Sequence, residues 1–298
     1  LVVPPVRIRD NMQLEPNHYV LKIRGVALAQ GSLMPDQWMA MESGATTGPV
    51  EGIKTREPAC GLTAYCISES QRHRAEAMGY TVVDAGTVLS THLSEVVKQY
   101  AHEFLTRDEV NNLIKTLREE SPAVVEEVVP AVLKPGEIQK VLQNLLKESV
   151  SIRDLGTILE TLGDYAPKTK DPEVLTEYVR NALARTICQQ HTGRDGRMFV
   201  ITLDPKLEDM VRGGIERTER GSFLSLSPAT INRIADRISK EVEKLVAAGH
   251  TPVILCSPQV RAQVKKIADT IQPGIVVLSY NEIVRDVKVE SLGMVAAE

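Results

Sequence analysis

The sequence predicts a mixed α/β chain built from several small subdomains. Apolar residues recur at helical spacing through 138–162, and "HYVLKIRGVALAQGSL" (18–33) alternates like a strand pair. Towards the C-terminus the chain runs strand, helix, strand, with uninterrupted apolar strands, the pattern of a parallel βαβ unit.

Residues 1–17 hold Pro4, Pro5 and Pro16 and no apolar stripe, and predict an extended, mobile tether. After the 18–33 pair, "GIKTREPACGLTAYCIS" (52–68) predicts further strands around turns at Pro58 and Gly61. "QRHRAEAMGYTVVD" (71–84) reads as a short helix, a stop at Gly79 and a strand. Helices are expected over roughly 91–104 and 107–119, the second opened by a Thr106–Glu109 capping box. "PAVVEEVVPAVL" (122–133) is bounded by prolines and reads as extended. Ile138, Val141, Leu142, Leu145 and Leu146 then form one helical stripe, and Leu155, Ile158, Leu159 and Leu162 a second. A five-residue break separates these helices, with Ser151 and Asp154 as the expected cap. Asp171 and Pro172 start a helix running to about Cys188, followed by a polar loop (188–197) and the strand "MFVITL" (198–203). Ser227 and Pro228 start a long helix ending at Gly249. "TPVILCS" (251–257), a helix from Pro258 to about Ile271 and "GIVVLS" (274–279) complete the βαβ unit.

Two helices with a short break admit two functions, a DNA-reading helix-turn-helix or a packing unit. The outer face of the second helix carries Asp154, Thr157, Glu160, Thr161 and Asp164 against one cation, Arg153, a surface that DNA repels. The 298 residues carry a net charge of −4, so no basic excess asks for nucleic acid or a membrane surface. Cys60, Cys66, Cys188 and Cys256 are scattered without a CxxC, which suggests a reducing compartment and neither zinc nor a disulfide framework. No run of 18 apolar residues is present, and a start at Leu1 instead of Met suggests a fragment of a longer protein. A nucleotide-binding enzyme would use the strand ends near Ser257 and Ser279, but the turn "CSPQV" lacks the glycines of a phosphate cradle. The six histidines show no HExxH, and there is no G-x-S-x-G. No catalytic residue, metal site or cofactor is expected.

Residues 138–187, "IQKVLQNLLKESVSIRDLGTILETLGDYAPKTKDPEVLTEYVRNALARTI", closely resemble the cytoplasmic region of the type III export gate family. "LVVPPVRIRDNM" at the start and "GYTVVD…STH" agree, and "DYAP" (164–167) resembles the flagellar branch. The resemblance implies a membrane-anchored protein whose cytoplasmic domain lies on the cytoplasmic side of the bacterial inner membrane. It implies a tether (1–17), a first subdomain (18–80 with 130–149), an inserted second (81–129), a mainly helical third (150–229) and an α/β fourth (230–298). It also implies assembly into a nonameric ring and a role that is not enzymatic. The partners would be flagellar export chaperones with late substrates, soluble components of the export ATPase complex and other export gate proteins, with no nucleic acid. By the same resemblance, aligned on the Arg-Asp-Glu that follows at 107–109, a hydrophobic chaperone-binding dimple falls on His102, Leu105 and Gly136, flanked by Val128 and Leu133. The commonest enterobacterial pattern in the family has an acid, a phenylalanine and a threonine where this chain has His102, Leu105 and Gly136. Read from the residues alone, Leu105 also fits a helix-end side chain packed in a core.

Overall fold

A computed structural model describes residues 3–218, 221–272 and 274–297, the side chain of Arg217 excepted, and the chain divides into two units between Phe104 and Leu105. In the first unit, β1 (His18–Ile23) and β2 (Val26–Ser32) form the predicted antiparallel hairpin. Arg24 and Gly25 make its turn, both at positive φ (50° and 86°), the conformation that matches strand twist. Residues 3–12 before it are exposed and in no helix or strand. An antiparallel sheet follows, built from β3 (Trp38–Met41), β4 (Ile53–Arg56), β5 (Thr63–Ile67) and, after α1 (Arg72–Ala77), β6 (Thr81–Asp84), in the order β4-β5-β3-β6. Gly79 ends α1 as expected: its φ is +84°, and a Cβ there would sit 2.4 Å from the Ala45 carbonyl oxygen. Helix α2 (Ala85–Gln99) starts earlier than the spacing suggested, because Asp84 accepts from the Thr87 N–H (2.9 Å) and hydroxyl (2.6 Å) and caps it there. A short α3 (Ala101–Phe104) closes the unit.

The second unit opens with α4 (Arg107–Glu120), capped by Thr106 as predicted. The valine-rich stretch after it is not extended: α5 (Pro122–Val128) is a helix with Pro122 in its first turn. Val125 and Val128 are buried in the core, so tertiary packing overrides the β-preference of its valines. Helix α6 (Pro135–Lys147) and α7 (Leu155–Tyr165) carry the two predicted stripes, all buried except the half-buried Leu146. Their connection is longer than expected, residues 148–154, and Asp154 is the cap, accepting from the Thr157 N–H. The Ser151 hydroxyl accepts from Arg153 N–H (3.4 Å) rather than capping α7. The next helix breaks at Leu183 into α8 (Pro172–Ala182) and α9 (Ala184–His191), shortening the polar loop.

Strand β7 (Arg197–Leu203), α10 (Pro205–Gly213), the hairpin β8 (Ile215–Thr218) and β9 (Gly221–Leu224), α11 (Pro228–Ala247), β10 (Val253–Cys256), α12 (Arg261–Ile271), β11 (Val276–Ser279) and β12 (Lys288–Val295) complete the chain. The strand order β11-β10-β7-β12 is parallel throughout. One sheet face (Met198, Val200, Val253, Leu255, Leu278) joins the core of α4–α9, and the other (Ile201, Ile254, Cys256, Val277) packs with α10, α11 and α12. Burial on both faces is why these strands read as continuous apolar runs.

A candidate docking surface on the second unit

Leu105 and Val110 occupy the N′ and N4 positions around the Thr106 cap, the places of a hydrophobic staple, and both lie in the helical core. The Leu105 side chain is 1% exposed, and its carbonyl accepts from two α6 side chains one turn apart, Gln139 Nε2 (2.8 Å) and Gln143 Nε2 (3.3 Å). Val128 ends α5, also 1% exposed, and Gly163 of α7 lets the helices close: a Cβ there would be 3.0 Å from Val128 Cγ2. The Val128 carbonyl accepts from the N–H groups of Val132 (3.0 Å) and Leu133 (2.9 Å), and this turn folds Leu133 into the same core at 1% exposure. Leu105, Val128 and Leu133 are thus brought together as interior, not as an open lining. Gly136 lies beside them in the half-exposed first turn of α6. His102 belongs to the first unit, on α3, half-buried with its ring 6.4 Å from that of Tyr100.

Gly136 has a definite neighbour that spacing did not reveal. A Cβ there would meet the Arg107 guanidinium at 2.6–2.7 Å, so the missing side chain is the seat on which Arg107 rests. Arg107 Nε donates to Gln139 Oε1 (3.0 Å), fixing the planar group against α6. The outward face of α6 continues through Lys140, Gln143 and Lys147, with both lysines exposed. The one carboxylate inside α6, Glu137, is spent on its own helix, accepting from the Lys134 N–H at 2.7 Å.

At its other end α6 enters a buried charge cluster. Glu148, just past Lys147, accepts from Arg261 Nη1 (2.7 Å) and Nη2 (3.0 Å) and from Arg180 Nη1 (3.0 Å). Arg261 also donates to Glu177 through Nε (2.6 Å), and Arg180 pairs with the fully buried Glu282 at 2.6 Å. Both arginines donate to the Val277 carbonyl as well, Arg180 at 3.4 Å and Arg261 at 3.3 Å. Burial alone would raise the Glu148 carboxyl, but Arg261 and Arg180 overcome it and hold it down at about 2. Bidentate, multiply bonded geometry is what makes such burial tolerable.

The carboxyl ends of the parallel strands, where an α/β nucleotide site would lie, are occupied by the protein's own acids. Asp204 accepts from Lys206 N–H (2.8 Å), Glu208 from Ser257 N–H (2.9 Å), and Glu282 from Ser279 N–H (2.6 Å) and hydroxyl (2.9 Å). A phosphate needs those amides and is repelled by those carboxylates. The face that α7 leaves outward carries Asp154, Glu160 and Asp164, while Thr161, expected on it, is buried with its hydroxyl donating to the Thr157 carbonyl (2.8 Å); the apolar stripe is core, so the helix pair is packing scaffold. Among the described residues no helix is long and apolar enough to cross a membrane.

A family model described as the FHIPEP family matches residues 1–288. The chain is 46% identical over 295 residues to the flagellar biosynthesis protein FlhA of Bacillus subtilis, covering 99% of this chain and 44% of that relative. It is 36% identical over 296 residues to the protein of the same name from Helicobacter pylori, covering 99% and 40%. The chain therefore spans less than half the length of these relatives. Its structure is similar to that of the Chlamydia pneumoniae CdsV protein, with a TM-score of 0.81 and 29% identity, covering 96% of this chain and 82% of that one. CdsV in complex with CdsO superposes with a TM-score of 0.80 at 29% identity, covering 96% and 82%. Nonameric EPEC SctV-C does so at 0.76 and 26% identity, covering 95% and 85%. A match running nearly end to end in both sequence and fold makes the chain a member of the FHIPEP family.

Proposed function

We propose that this chain is the cytoplasmic docking platform of a flagellar protein export gate. It binds export chaperones with their late substrates, and soluble components of the export ATPase complex, and orders their delivery to the channel. The observation that carries this reading is the 46% identity to a flagellar biosynthesis protein across 99% of the chain. The superposition on CdsV bound to CdsO supports a protein partner, and that on nonameric SctV-C supports assembly into a ring. With it go a membrane-anchored parent protein, a position on the cytoplasmic side of the inner membrane and contacts to other export gate proteins. The four-subdomain division belongs to the same reading: 18–80 with 130–149, then 81–129, 150–229 and 230–298.

The docking site is centred on the α4–α6 junction around Gly136, and Leu105, Val128 and Leu133 supply the packed floor beneath it. His102, which the resemblance groups with these residues, lies on α3 of the first unit. Ring closure draws on the membrane anchor, which raises the effective concentration of neighbouring copies, so the isolated chain is expected to be monomeric or weakly associating at micromolar concentration. Pull-down and calorimetric titration with purified flagellar chaperone–substrate complexes test the reading. Saturable binding is expected, and failure of every such complex to bind overturns it.

A further inference from the structure

Helix α6 presents an unbalanced charge to solvent. Gly136, Lys140, Gln143 and Lys147 recur at i, i+4, i+7 and i+11, one stripe of about 16 Å along the helix. Lys140 and Lys147 are exposed, and exposed Lys134 and Arg107 flank the Gly136 end. None of these four cations forms an ion pair with a carboxylate among the described residues. Elsewhere some helix cations are paired within their own helix, as Lys98–Glu95 on α2, Arg212–Asp209 on α10 and Lys244–Glu241 on α11. The acids that could neutralise the stripe are committed elsewhere: Glu137 to the Lys134 N–H, and Glu148 to the buried arginines. Asp108 and Glu109 lie in the first turn of α4, where the helix N-terminus favours negative charge. A concentrated positive stripe on a chain of net charge −4 is a local feature, not an average property.

We propose that Arg107, Lys134, Lys140 and Lys147 form an electrostatic reader for an acidic segment of the export chaperone, a helix or strand bearing several carboxylates that lies along α6. The inference rests on the docking reading above and names the chemistry of its partner. Charge complementarity selects the occupant: apolar anchors at this face are interior, so what the surface offers is four cations, one of them the Arg107 guanidinium seated flat on Gly136. Arg107 is the position-specific element, because its Nε is held by Gln139 while its two terminal nitrogens have no hydrogen-bond partner among the described residues. The geometry suits a forked bond to one carboxylate. Exposed lysine pairs individually contribute little to affinity. The stripe therefore acts mainly on the association rate and on the choice of partner, and its mark is salt dependence.

The test measures association kinetics of purified Bacillus subtilis flagellar chaperone–substrate complexes with the whole chain, at low and high salt. The double variant Lys140→Glu, Lys147→Glu keeps the fold, since both side chains are exposed, and its melting curve verifies this. A control of equal charge change, Lys54→Glu with Lys240→Glu, alters exposed lysines elsewhere. The stripe variant is expected to associate about tenfold more slowly at low salt, converging on the wild type at high salt, while the control changes less than twofold. Arg107→Lys is expected to retain the salt slope but lose several-fold in affinity. If complexes bind the wild type and the stripe variant with equal rates and salt slopes, the reader is wrong and the docking platform stands. An equal loss in the control makes the effect one of net charge and overturns the inference. Normal chaperone binding with altered self-association would assign the stripe to a second copy, also overturning it. If no complex binds the wild type, the docking reading itself fails.

Discussion

Replacing Leu105 by alanine decides whether the centre of the proposed docking site is a lining or a floor. Its side chain is 1% exposed in a core shared with Val110, Leu133 and Ile138. Truncation removes the Cγ methine and both methyl groups from that core and leaves a cavity, a loss of roughly 2–5 kcal/mol. A domain of this size has a total stability of about 5–15 kcal/mol, so the change removes a substantial fraction of it. At about 2–4 °C per kcal/mol, the melting temperature should fall by roughly 6–12 °C for a mid-range loss of about 3 kcal/mol. Leu105→Met, which nearly conserves volume, should cost less than about 1.5 kcal/mol and keep both fold and binding. Thermal melts and urea titrations of the three proteins, followed by chaperone titration below the variants' melting range, provide the measurement. An alanine variant that melts like the wild type and yet fails to bind would refute the packing argument and make Leu105 an exposed anchor.

Other perturbations follow from the same contacts. Arg261→Met leaves the half-buried Glu148 and Glu177 without their main partner, and should lower stability by up to about 3–5 kcal/mol. An unchanged urea midpoint would contradict this. Because the Glu148 carboxyl is held at about 2 against an ordinary 4.5, its ion pairs stabilise the fold fully above pH 4.5, and the contribution disappears as pH falls from 4.5 through 2. His92 is buried against the Tyr19 hydroxyl at 2.6 Å, and burial pushes its pKa below the usual 6.5, only partly opposed by Glu57. The unfolded chain therefore takes up the proton first, and stability of the first unit should decline as pH drops below 6.5. His92→Gln should flatten that decline in melts at pH 7.5 and 5.5, and identical slopes would exclude His92 as its source. Gly136→Thr should displace the Arg107 guanidinium, the far end of a flexible side chain, with a stability change within about 1 kcal/mol. A much larger loss would mean that Arg107 cannot move aside.

Amphipathic stripes were the most legible part of the chain. Ile138 to Leu146 and Leu155 to Leu162 recur at the helical period, and nearly all of these residues are interior. The parallel βαβ unit was equally plain, because strands covered on both faces have no polar alternation to obscure them. Helix α5 was not, since four valines between Pro122 and Pro130 look like a strand until neighbouring helices bury three of them. Strand β12 was hidden by its own irregularity: the register shifts between Ser291 and Gly293, and Gly293 lies beneath Glu241, whose Oε2 would be 2.5 Å from a Cβ there. Leu105 shows the limit of resemblance. The match located the α4–α6 junction, while the staple positions around Thr106 contained the separate information that Leu105 turns inward. The charge cluster left no local trace at all: Glu148 and Arg261 stand 113 residues apart, and an arginine on a helix ordinarily signals solvent.

Helix α6 is a rod anchored at one end, with the proposed docking end at the other. Gly136 and Arg107 mark that proposed end, and about 20 Å away Glu148 is gripped by guanidinium groups from α8 and α12. Axial slip of the rod by a single ångström would stretch three short charged hydrogen bonds at once, inside a region where water cannot replace them. A pull on the cationic stripe is therefore transmitted to α12 and the strand it precedes, instead of being absorbed as local sliding of α6. Within this unit, traction by a bound cargo would be felt by the parallel sheet.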